Sequence, residues 1–193
     1  KAKADRGSLQ ISDPGTLTIS PIRLRKYLPL HASVHDGNFH FLNRNKKFDV
    51  DPDWNFKEFG ALWNIRLNSF DYLYHPDTSQ KDGMFLIHSF IRKAAGNQQL
   101  FDSYCVSQRV MNWIGFLSRY DIHDEEILSF LWRQAYYLSV NPEYHLKNNH
   151  LLDNGFALLR AGLFFGEEKF FHAGQAILIT ELNKQILNDG AHI

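Results

Sequence analysis

From Trp54 onward the apolar residues of this chain recur at the 3.6-residue spacing of helices, and that periodicity restricts the fold more than any other feature. The segment 104–119 shows it best. Val106, Val110, Trp113, Ile114 and Leu117 follow at i, i+4, i+7, i+8 and i+11, which puts all five on one helical stripe. The same spacing predicts helices over about 59–74 (Leu62, Ile65, Leu67, Phe70, Leu73) and 83–95 (Met84, Ile87, His88, Ile91). It predicts three more over 124–139 (Ile127, Leu131, Ala135, Leu138), 146–165 and 167–187 (Phe171, Leu178, Leu182, Ile186). Helix ends carry matching punctuation. Asp124-Glu125-Glu126 sets acids at the positive end of the fourth helix, Pro142 follows its last turn, and Gly166 and Asp189-Gly190 stop the final two. Connections after residue 95 are short, so successive helices are expected to pack antiparallel as three hairpins. No repeat of fixed period occurs, which disfavours a motif-built solenoid and leaves a curved array or incomplete ring of hairpins open.

Residues 1–53 read differently. Pro14-Gly15, Pro21, Pro29, Gly37 and Pro52 interrupt them repeatedly, so an irregular, partly extended lead-in is expected before a helical domain over 54–193. Thr16-Leu17-Thr18-Ile19 and Phe39-His40-Phe41-Leu42 are candidate short strands. Hydrophobic residues make up 44% of the 193, enough for one real core. Lys+Arg and Asp+Glu are both 21, so no basic field calls for nucleic acid, although a local basic cleft for an anionic ligand is compatible with neutrality. No apolar run approaches the roughly 18 residues of a membrane span, and the charged start Lys1–Arg6 has no apolar segment behind it to make a signal peptide as it stands. Cys105 is the single cysteine, so no intramolecular disulfide forms, and its place in a helix reads as a small core hydrophobe.

Polar chemistry concentrates in Glu143-Tyr144-His145-Leu146-Lys147-Asn148-Asn149-His150-Leu151-Leu152-Asp153-Asn154, at the mouth of the fifth helix. Asn149 shares a face with Leu152, Asp153 and Phe156, and His150 shares one with Asn154, Ala157 and Ala161. Both are therefore expected to point at the interior or a cleft, where an amide or imidazole needs partners. A bland alternative stands beside this: Asn148 or Asn149 caps the helix, and His150 is a satisfied core histidine. A metal site is not expected. His145 and His150 are five apart, not four, and His31, His35 and His40 lie in a broken loop region. No nucleophile elbow and no phosphate loop occur, and Glu125-Glu126 and Glu167-Glu168 sit at helix starts where dipole and solvent account for them.

One family pattern does emerge. Gln134-Ala135-Tyr136-Tyr137-Leu138-Ser139, then Asn141, Glu143, His145-Leu146, Asn149-His150-Leu151-Leu152, Asn154 and Ala157-Leu158, followed by Ala161–Gly166, resembles the central signature of heparinase II/III-type polysaccharide lyases. Phe41–Arg44, Leu62-Trp63, Phe70–Leu73 and Ser107-x-Arg109-Val110-x-Asn112-Trp113-Ile114 fit the same family in the same order, and Asp189–His192 is similar to the start of its next block. The resemblance implies an all-α fold, an incomplete α/α toroid of antiparallel hairpins, with a β-sandwich region of the same protein to follow. It implies β-elimination at a uronic acid of an acidic polysaccharide, without a cofactor. Asn149 would then neutralise the uronate carboxylate, and His150 would assist in removing the C5 proton or in binding the carboxylate. A general acid–base Tyr is implied beyond Ile193, and a further His in the β-region. Arg109, Asn112, Gln134, Tyr137, His145 and His192 are expected to line the cleft. For Arg109, Asn112, Gln134 and Tyr137, helix–helix hydrogen bonding is the alternative.

On that basis the chain is expected to be an inactive fragment of a bacterial lyase, periplasmic or secreted with the cytoplasm as the alternative; a truncated product that has lost activity is the other reading. Its partners would be an acidic polysaccharide and the missing β-sandwich region, with no nucleic acid and no membrane insertion. Two rivals are a non-catalytic glycan-binding or scaffold helical module, and an α/α-barrel hydrolase with Asp153 as its first acid.

Overall fold

The structure, a computed structural model, describes residues 14–22, 32–94, 102–144 and 149–186. Within them the protein is mostly helical, with a small three-stranded sheet. The helices are α1 (Ala61–Ser69), α2 (Gln80–Ala94), α3 (Ser103–Tyr120), α4 (Glu125–Val140), α5 (Asn149–Phe165) and α6 (Glu168–Gln185), with a 3-10 turn over Asp71–Tyr74.

Side-chain caps fix several starts. Asp102 accepts from the backbone N–H of Tyr104 and Cys105 at the head of α3, and Asp124 accepts from that of Ile127 at α4. Ser79 and Asp82 form a reciprocal pair. The Ser79 hydroxyl accepts from the Asp82 N–H and donates to its carboxylate, which begins α2 three residues earlier than its apolar pattern does.

The helix expected over 59–74 is broken. Phe70 adopts a left-handed backbone (φ 61°, ψ 24°) that ends α1 and starts the 3-10 turn. That conformation costs about 1–2 kcal/mol for a residue with a Cβ. Burial of the whole phenyl ring, worth about 2–3 kcal/mol, offsets it. The ring stacks on Trp54 with centroids 5.1 Å apart and meets Phe90 and Trp113 edge-on.

The helices form two layers. α1 packs on α3 and α3 on α5, while α2 packs on α4 and α4 on α6. Hairpins α3–α4 and α5–α6 cross between the layers, but α1 and α2 do not make the expected third hairpin; each joins its own layer instead. Chain direction follows from contact order. Gly162 lies against Phe171, Leu159 against Gly174, and Gly155 against Leu178, so α5 and α6 run antiparallel. Tyr104 meets His150, Ser107 meets Asn154 and Met111 meets Arg160, so α3 and α5 run parallel within their layer.

The lead-in is more ordered than its prolines and glycines suggest. β1 (Ala32–His35), β2 (Asn38–Phe41) and β3 (Arg44–Lys47) pair antiparallel in chain order. The strand expected at 39–42 is β2; its neighbours were missed. Asp36-Gly37 and Leu42-Asn43 have positive φ at both central positions, as two-residue hairpin turns require, and Asp-Gly is a strong signal for one. β3 carries Arg-Asn-Lys-Lys and no apolar alternation to read. Phe39 and Phe41 turn inward onto Tyr72 and Trp63, so one core runs across residue 53. Thr16–Ile19 keeps its period of two, with Leu17 and Ile19 packed on the core, but has no ladder partner among the described residues. The Ser20 N–H donates to the Phe164 carbonyl at 2.7 Å instead.

Candidate functional site

The mouth of α5 is built on one buried amide. Asn154 is fully buried, its Nδ2 donates to Ser107 Oγ at 2.8 Å, and its Oδ1 accepts from the Glu143 backbone N–H at 2.8 Å. Ser107 in turn donates to the Ser103 carbonyl. One side chain thus ties α5, α3 and the turn after α4, and its second polar atom is satisfied as the first is, which burial demands.

This clamp places four side chains together. Glu143 is 7% exposed, and its Oε2 lies 3.5 Å from His150 Nδ1. The His150 ring stacks on Tyr104 of α3, centroids 4.4 Å apart at 27°. Asp153 sits one turn along α5, with the Gln108 side chain near enough to favour its charged form. Burial pushes its carboxyl above the usual value, while His150 and Gln108 pull the other way. Burial also raises the Tyr104 phenol, helped by the charge of Asp153 and opposed by Arg66. Arg66 and Asp71, paired at 3.2 Å, therefore complete the charged surroundings of this phenol.

Asn149 stands at the first position of α5 and is exposed, so of the interior or cleft expected for it the interior is ruled out. On the same face Leu152 is buried, Asp153 is half-buried and Phe156 is exposed, so that face of α5 runs partly to solvent. Among the described residues the Asn149 amide nitrogen donates to none. It stands in the first turn of α5, where backbone N–H groups lack intrahelical partners, and His150 follows it, one-third exposed.

The other expected cleft residues do not gather here. Arg109 and Gln134 are both fully buried, and Arg109 Nε donates to Gln134 Oε1. Arg109 also donates to the Asn68 carbonyl and lies 4.3 Å from the Phe90 ring centre. Burial lowers it to about 10. Both face the interface of α3 with α4, not solvent. Asn112 is half-buried and donates to the Ser69 carbonyl at 2.7 Å, joining α3 to α1. Tyr137 is half-buried on α4 and packs against the core. His145 and His192 lie outside the described residues. From the sequence, Asp153 has a role only in a hydrolase, Glu143 is named without a role, and Tyr104 and Arg66 are unmarked. For Glu143 a signal was present, since it belongs to the same dense polar run as His150; for Tyr104 and Arg66 nothing local distinguishes them from surface residues.

Cys105 is buried, and burial pushes its thiol up to about 12, which removes it from nucleophilic chemistry at neutral pH. Among the described residues no group of three or more His, Cys, Asp or Glu is placed to hold a metal, and no helix is long and apolar enough to cross a membrane. The cluster offers an amide donor, an imidazole, a phenol and two carboxyls around the start of one helix. That set suits moving a proton beside a hydrogen-bond donor.

A family model described as Heparinase II/III N-terminus matches residues 91–193, which include α3 to α6 and every member of the cluster except Arg66 and Asp71. No curated protein and no solved structure matches. The matched residues are more than half of the sequence, and the chain belongs to the heparinase II/III N-terminus family, a polysaccharide-lyase-related part.

Proposed function

We propose that this chain supplies the carboxylate-neutralising side of a polysaccharide lyase that cleaves uronic-acid-containing glycans by β-elimination. The observation that carries the reading is the exposed Asn149 amide at the first position of α5, adjacent to His150. The proton on C5 of a uronate is poorly acidic while the neighbouring carboxylate is charged. A neutral amide donor aimed at that carboxylate, supported by the positive end of a helix, stabilises the enolate-like state that forms when the proton leaves. His150 takes the C5 proton, and the pair of electrons it leaves forms the C4–C5 double bond as the C4–O bond breaks. A tyrosine from the region that follows in the family protonates the leaving oxygen.

Two layers with parallel neighbours and crossing hairpins are the arrangement from which an incomplete α/α toroid is made, and this supports the same reading. A polysaccharide does not cross a membrane unaided, so the proposal places the protein in the periplasm or outside the cell.

The test uses the complete gene product on a panel of acidic glycans, following the ultraviolet absorbance of the unsaturated uronate. Asn149→Ala is expected to lower kcat about 10²–10³-fold with the fold intact, the usual cost of one lost transition-state donor. Unchanged turnover in Asn149→Ala would sink the assignment. Asp153, held above the usual carboxyl range beside Tyr104, gives the hydrolase reading its one specific support. Products lacking a double bond would favour it.

A further inference from the structure

We propose that Glu143 is a positioning residue for His150, accepting its Nδ1–H and so holding the Nε2 lone pair toward the site. This rests on the elimination reading for its role in turnover, but the pairing itself stands on geometry. The His150 Nδ1 atom is shut off from solvent although a third of the side chain is exposed. The exposed edge of the ring is therefore the one that carries Nε2. The charged atom facing Nδ1 is Glu143 Oε2, at 3.5 Å, on a side chain 8% exposed. That distance is within ion-pair range and longer than a hydrogen bond, and it is expected to shorten when substrate closes the site.

Two features hold this arrangement. Asn154 fixes the Glu143 backbone through a 2.8 Å hydrogen bond, so the carboxylate is carried under the imidazole by a clamped turn and not by a free loop. Tyr104 stacks on the imidazole face and opposes a flip of the ring. A buried carboxylate next to one imidazole nitrogen is an arrangement that decides a tautomer, because which nitrogen carries the proton follows from the hydrogen bond its partner makes.

The consequence for the reaction is definite. A neutral imidazole with its proton on Nδ1 presents a base at Nε2. The C5–H bond breaks, the proton goes to Nε2, and the electron pair moves into the C4–C5 double bond as the C4–O bond to the leaving sugar breaks. The positive charge that develops on the ring is met by Glu143. With the proton on Nε2 the same ring presents a donor and removes nothing.

The experiment is long-range proton–nitrogen NMR of the complete protein labelled with 15N-histidine, with His150 assigned by its loss in His150→Gln. Neutral His150 is expected to carry its proton on Nδ1. Glu143→Met removes the acceptor at similar volume and is expected to return the ring to the Nε2–H form, with kcat down about 10²–10⁴-fold and little change in KM. Glu143→Gln keeps an acceptor oxygen without the charge and is expected to retain the Nδ1–H form with intermediate kcat. A merely structural role would instead lower the melting temperature in all variants alike and leave the tautomer alone. Wild-type protein showing Nε2–H overturns the proposal even if every Glu143 variant fails to fold, and so does an unchanged tautomer in Glu143→Met. If the tautomer moves as stated but the unaltered protein forms no unsaturated product, the pairing stands and the elimination reading falls.

Discussion

Asp153 shows how burial changes the meaning of a single residue at this site. Its carboxyl is raised chiefly by loss of solvent, against the pull of His150 and Gln108, so ionising it costs more in the folded protein than in the unfolded chain. A carboxyl with a raised folded value favours folding in its protonated form. That contribution is present below the ordinary value of 3.8 and is lost as pH rises through the higher folded value. Asp153→Asn is therefore expected to raise the melting temperature at neutral pH, and the gain is expected to vanish as pH falls below the ordinary value. Thermal melts of both proteins across that range check it; a gain independent of pH would mean that solvent loss is not the cause. Residue by residue, the run 143–154 was visible as a dense polar cluster, and His150 was found. Where Asn149 points was not, because position on a helical wheel says nothing about which neighbour ends before the first turn.

α5 and α6 are the elements in closest contact, and their glycines explain it. A Cβ on Gly162 would lie 2.4 Å from the Phe171 backbone nitrogen, and one on Gly174 would lie 2.4 Å from that of Leu159. The obstacle is backbone in both cases and has no rotamer to change. Helix propensity alone favours alanine over glycine by about 1 kcal/mol. Overpacking against backbone outweighs that, so Gly162→Ala and Gly174→Ala are each expected to destabilise by about 1–3 kcal/mol, read by urea unfolding. Stabilised variants would mean that the two helices sit further apart. Five of the six helices were legible to within a few residues because periodicity and caps are properties of neighbouring residues. The exception was the break at Phe70, where the aromatic cluster of Trp54, Phe90 and Trp113 overrides the local preference. Of the sheet only β2 was legible, from Phe39 and Phe41 alternating with His40; β1 and β3 are strands of four residues, too short or too polar for a pattern to stand out.

Across the described residues, the Arg109 side chain joins four helices. From α3 it reaches Gln134 on α4, the Asn68 carbonyl at the end of α1 and the Phe90 ring on α2, so it ties one helical layer to the other. A buried cation is tolerated only when its donors are used. Arg109→Ala is expected to cost about 3–5 kcal/mol, since it leaves buried acceptors without their donor and opens a cavity. Chemical denaturation measures this, and a loss under about 1 kcal/mol would show the tie to be dispensable. Most helix positions and the family were readable in the order of residues, because each depends on patterns within a few turns or on a motif kept in sequence. The destination of Arg109, Gln134, Asn149 and Glu143 was not. Arg109, Gln134 and Asn149 flank apolar stripes and Glu143 sits in a turn, and whether such a position meets another helix or water depends on which elements stack in the same layer. Ser107 and Asn154 meet across 47 residues of chain, and that pairing arises from the packing of α3 along α5, which no short stretch of sequence encodes.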